Sequence, residues 1–164
     1  MSRIASRRGV LVVAIAAALA AGAVAATTSA ARGGRAPIWG PGTGTVHVIE
    51  HAITDTEYPG VTGKDAPGNE LIFTNPVFNA ANTAQVGHDE GFCTRLNPTT
   101  GSWECLWTTF LKGGQITVQG PYYDTANSVL SITGGTGAYR DSRGQMLLNS
   151  RDNGTQYDFI FQLS

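Results

Sequence analysis

From Thr45 onward the chain is punctuated by turn signals at short intervals, and no stretch between them keeps a helical period. Gly113-Gly114, Gly134-Gly135-Thr136-Gly137 and Asp152-Asn153-Gly154 are the plainest of these breaks. Between them, β-branched and aromatic residues alternate with polar ones. This predicts strands over Thr45–Ile53, Glu70–Asn75, Gln85–Leu96, Ser102–Leu111, Gln115–Gly120, Ser128–Thr133, Gly144–Ser150 and Thr155–Leu163. So many short antiparallel strands in about 120 residues close into a barrel or stack as a sandwich. A barrel of eight strands is just wide enough to be filled by side chains or to hold one small ligand.

The first part of the chain reads differently. Arg3, Arg7 and Arg8 precede an apolar run, Val10 to Ala21, that is short for a bilayer span, and Ala23-Val24-Ala25 offers a cleavage pattern. Residues 1–25 thus read as a cleaved export signal, which implies a secreted or periplasmic protein with no membrane anchor left. Ser6-Arg7-Arg8-Gly9-Val10-Leu11 resembles a twin-arginine signal, so folded and unfolded export both stand. Residues 26–44, rich in Ala, Thr, Gly and Pro, read as a flexible segment, and 45–164 as one domain. Cleavage would remove three basic residues and no acid, leaving 8 basic against 12 acidic residues and a formal charge of −4. With no basic stripe, a nucleic-acid partner is excluded.

Cys93 and Cys105 flank the turn Asn97-Pro98-Thr99-Thr100-Gly101. A hairpin centred on Thr99 sets them opposite each other, which suits a disulfide in an exported domain. Two buried thiols remain the alternative. On the first strand, Val46, Val48, Glu50 and Ala52 share one face. If that face points inward, Glu50 is a carboxyl in an apolar interior, where desolvation raises its pKa. If the strand is an edge, Glu50 is solvated.

Other constellations fail. His47 and His51 are four apart on a strand, about 13 Å, too far for one ion to hold both rings, so no metal site is expected. The Gly134–Gly137 stretch lacks the lysine of a phosphate loop and a following helix, and no Gly-x-Ser-x-Gly elbow exists. No cofactor is called for.

"GNELIFTNPVF", "VGHDEGFC", "ITVQGPYYDT" and "LSITGGTGAYRDSRGQ", in that order from Gly68 to Gln145, resemble the allene oxide cyclase family and its relatives the dirigent proteins. The resemblance spans about Val46 to Leu163. It implies an all-β fold, an eight-stranded antiparallel β-barrel with an apolar cavity, commonly assembled as a homotrimer. It places Glu50 where cyclases keep a carboxylate that assists epoxide opening, Asn75 at an amide that holds a water, and Pro59 at a proline whose carbonyl helps hold it. Cys93 matches a cysteine that lines the cyclase cavity. Phe73, Phe92, Trp107, Phe110 and Tyr122 are the candidates for the apolar wall. The chain departs from the cyclases at Ala52, where they have a second amide, and at Tyr58, where they have serine. Residues 134–144, with Arg140 and Arg143, lean towards the dirigent form. The function implied is an isomerase or cyclase acting on an apolar small molecule. The alternative is a dirigent-type or ligand-binding barrel without acid–base chemistry.

Overall fold

The computed structural model describes residues 44–60 and 63–164. The export signal and all but the last residue of the 26–44 segment lie outside them. Among the described residues nine strands follow one another: β1 Gly44–His51, β2 Thr56–Tyr58, β3 Glu70–Asn79, β4 Gln85–Asn97, β5 Ser102–Leu111, β6 Gly114–Tyr123, β7 Ser128–Gly135, β8 Gly144–Arg151 and β9 Gln156–Leu163. All pairings are antiparallel, in the order β1-β9-β8-β7-β6-β5-β4-β3-β2, and β1 also pairs with β3. That last pairing closes eight strands into a barrel. The resemblance thus settles the choice between barrel and sandwich correctly. Among the described residues no helix is long and apolar enough to cross a membrane.

The ninth strand, β2, was not expected from sequence. It has three residues, all exposed, and lies along Glu70–Ile72 at the start of β3. β1 pairs with β3 further on, over Val77–Asn79. Between these two pairings, residues 73–76 of β3 have β4 on one side and no strand on the other.

That gap explains why β3 does not stop at Asn75. A proline within a sheet costs the ladder bond its missing N–H would have made. The amide of Thr74 points across the gap, donating to Thr54 Oγ1, so alternation aims the position of Pro76 the same way, where there is no ladder to break. β3 therefore continues through Pro76 to Asn79. β6 likewise runs through Pro121, past the four residues of β6, Ile116–Gln119, that pair with β7.

One end of the barrel is filled. Val46, Val77, Ile116, Val118, Met146 and Phe161 are fully buried there or beside it, with Tyr139 delivered by a 3-10 turn over Gly137–Tyr139. Gly137 adopts φ +59°, and a Cβ there would collide with the carbonyl of Gly113. The turn demands glycine for both reasons. The first strand follows the inward alternation, so Glu50 continues the row of Val46 and Val48 and is 5% exposed.

Candidate functional site

The other half of the barrel keeps a small cavity of about 50 Å³. Its apolar wall is made by Phe73 of β3, Trp107 of β5 and Phe159 of β9, with Leu71 and Leu148 beside them. The ring centroids of Phe73 and Trp107 are 6.1 Å apart, and those of Trp107 and Phe159 are 5.4 Å apart. Trp107 fits because its partner on β4 is Gly91, where a Cβ would strike the tryptophan side chain. Cys93 and Cys105 face each other across β4 and β5, form a disulfide, and line the same cavity. Such a bond persists in an oxidising compartment.

The polar part of the cavity is built by Glu50, Asp55, Tyr122 and Tyr157. Glu50 and Tyr157 are register partners on β1 and β9, and the hydroxyls of Tyr157 and Tyr122 are 3.0 Å apart. Burial raises the pKa of both phenols, so both stay protonated.

Asn75 holds this end together. Its Nδ2 donates to Glu50 Oε1 at 2.8 Å and to Asp55 Oδ1 at 2.6 Å. Its Oδ1 accepts from the backbone amides of Ile53 and Thr54, at 3.0 and 2.9 Å, and from Thr54 Oγ1 at 3.0 Å. These bonds close the gap in the wall where the chain leaves β1. With both amide protons and the carbonyl oxygen engaged, Asn75 is a positioning residue for Glu50 rather than a free water-holding amide.

Behind Glu50 lies a second carboxyl, Asp89 of β4, fully buried. Asp89 Oδ1 accepts the backbone amide of Asn75 at 3.2 Å, while Oδ2 is buried with no hydrogen-bond partner. Burial, then repulsion by Asp89, pushes the Glu50 carboxyl well above the usual carboxylate range, against the opposing hydrogen bond from Asn75. Burial pushes Asp89 up to about 7, while its hydrogen bonds from Asn75 and Glu50 oppose the rise. Two carboxylates this close cannot both be charged without large cost.

Replacing Asn75 by alanine removes five side-chain hydrogen bonds at once. The expected loss is about 2–4 kcal/mol, because buried donors and acceptors are left unmet. Urea unfolding of the variant measures it, and an unchanged midpoint would show that the clamp carries no stability.

The expected site residues divide by strand parity. Glu50, Phe73, Cys93, Trp107 and Tyr122 come together around the cavity, with Asn75 just behind it. Phe92 does not: it is 45% exposed, in an outward row with its register partners Ile72 and Leu106. Phe110 also points outward and stacks on His88, with centroids 4.5 Å apart. Pro59 is exposed beyond β2 and is not part of the cavity wall. Sequence reasoning missed Asp55, Asp89, Tyr157 and Phe159. Asp89 shares the face of Cys93 by the period of two, a signal that was there to be read. Asp55, in the turn after β1, had none.

Fold and site together define a closed antiparallel barrel with a carboxyl-bearing aromatic cavity. No family model matches the chain. Among solved structures, the fold is similar to a pyocyanin demethylase, at 23% identity over 74% of this chain and 100% of that one, with a TM-score of 0.63. A pterocarpan synthase dirigent protein matches at 17% identity over 71% and 82% of the two chains, TM-score 0.60. An exo-specific intermolecular Diels-Alderase matches at 15% identity over 73% and 96%, TM-score 0.57. At such identities the likeness is one of fold.

Proposed function

We propose that the protein is an isomerase or cyclase that rearranges an apolar small molecule by lending it a proton from Glu50. The observation that carries this reading is the buried carboxyl of Glu50 at the wall of an otherwise largely aromatic cavity, where burial and then Asp89 raise its pKa well above the usual carboxylate range. In that setting Glu50 donates its proton to an oxygen of the substrate, the substrate's bonding electrons shift, and the product returns the proton. No atom is gained or lost. The return is favoured because the unprotonated pair would place two buried negative charges together. Asn75 fixes the direction of the Glu50 carboxyl by its hydrogen bond. The kinship in fold with a dirigent protein and a Diels-Alderase supports a barrel that steers ring formation or stereochemistry.

trans-Stilbene oxide, an aromatic epoxide, probes this directly by its isomerisation to diphenylacetaldehyde. The protein is expected to accelerate that rearrangement, and Glu50→Gln to lower the rate by about 10²–10⁴-fold, as expected for loss of a general acid. Binding of the epoxide with no rearrangement, equal in both forms, would overturn the acid reading. The barrel would then act by steering a bound intermediate.

A further inference from the structure

We infer that the cavity takes a neutral, planar aromatic compound carrying an acceptor oxygen, a conjugated aromatic ketone being the simplest case, and rejects carboxylates. This rests on the cavity being the working site proposed above and names the class of molecule it receives.

The wall selects for shape. Phe73, Trp107 and Phe159 surround the apolar part, and Tyr122 and Tyr157 add two more rings at 6.0 Å from each other, nearly perpendicular. Ring faces and edges gain most from a flat aromatic partner.

The polar groups select for an acceptor. The two tyrosyl hydroxyls carry two protons, and their mutual hydrogen bond uses one. The other has no acceptor among the described residues. The indole N–H of Trp107 is buried with no partner, although the residue lines the cavity. A buried donor left unmet is costly, and a ligand oxygen would relieve that cost. Glu50, beside Tyr157 in register, adds the acidic donor that the reaction needs.

The charge pattern selects against anions. Among the described residues no Lys, Arg or His lines the cavity, whereas Glu50 and Asp55 do and Asp89 lies behind. Arg95, the buried cation on β4, is taken by Asp65 at 2.9 Å and Asp124 at 2.7 Å and lies 3.9 Å over the Trp103 ring. A fatty-acid carboxylate entering this space would lose its hydration and meet negative charge without a counter-ion.

Three compounds of one shape test the inference: 9-fluorenone, fluorene and fluorene-9-carboxylate, titrated into the whole protein by calorimetry. Fluorenone is expected to bind about tenfold or more tighter than fluorene, the worth of one or two hydrogen bonds, and the carboxylate more weakly than either. In a Tyr122→Phe, Tyr157→Phe variant, fluorenone should fall to the affinity of fluorene while fluorene itself still binds. Fluorene binding as tightly as fluorenone, the carboxylate binding best, or none of the three binding would each overturn the inference. A fluorenone preference that survives in the double variant would overturn the placement of the oxygen at the tyrosines. These are binding readouts, so failure of the Glu50 rate test leaves them intact, and their failure leaves the rate test intact.

Discussion

Replacing Cys93 and Cys105 together by alanine is expected to destabilise the barrel by about 3 kcal/mol or more. The bond closes a loop with a sequence separation of 12. On the chain-entropy account, opening such a loop in the unfolded state is worth about 3 kcal/mol. Both side chains are also almost wholly buried in the cavity wall, so removing two sulfurs enlarges the cavity and adds a packing loss. For a domain of this size, about 3 kcal/mol corresponds to a fall in Tm of roughly 10 °C or more. Scanning calorimetry of the double variant tests this, with reduced wild type as a second measurement that leaves the side chains in place. A Tm unchanged by both treatments would show that the strand pairing alone holds this part of the wall.

The second large effect is a stability that declines as pH rises through neutrality. A carboxyl that holds its proton more tightly when folded contributes fully below its unfolded pKa, near 4, and loses that contribution as pH rises through the folded value. For Asp89 that window runs from about 4 to about 7, and Glu50 is shifted in the same direction. Each proton kept only by the folded state gives a slope of up to ~1.4 kcal/mol per pH unit. The groups facing the pair are Asp55, Asn75 and Tyr157, and none supplies a compensating positive charge. Urea midpoints should therefore fall between pH 5 and pH 8. Asp89→Asn should flatten the slope by removing one of the two carboxyls. Stability that is level or rising over this range in the wild type would mean that the pair is ionised and solvated.

The fold was legible because a period of two leaves a strong trace. Val46, Val48 and Glu50 alternate with His47, Ile49 and His51, and the cysteines straddle a recognisable turn, so the strands and the facing of the two cysteines could be read from residues, while the resemblance chose the barrel. β2 left no trace because a three-residue exposed strand needs no apolar pattern. Its only warrant is the unpaired flank of β3. Pro76 and Pro121 misled for a related reason. A proline ends a strand only if its neighbour needs the missing donor, and sequence does not say where a neighbour is absent. In the site, parity would have served better than chemistry. Phe92 and Cys93 are adjacent and cannot share a face, and Trp107 and Phe110 differ by an odd number. Selecting aromatics for size put two of them on the wrong side of the wall. The role of Asn75 was hidden for another reason: its partners Ile53 and Thr54 are distant in sequence and meet it only where the wall is open.

Asp89 touches Glu50 but contributes nothing to the cavity surface. On the function proposed above, acid strength and molecular fit are thus written in different residues of one chain. Substitution at Asp89 can retune how readily Glu50 gives up its proton while every contact with the guest stays as it was. Substitution at Phe73 or Phe159 can reshape the guest's space while the proton stays equally available. A lineage built on this barrel can therefore change what it accepts and how hard it pushes in separate steps, each tolerable without the other.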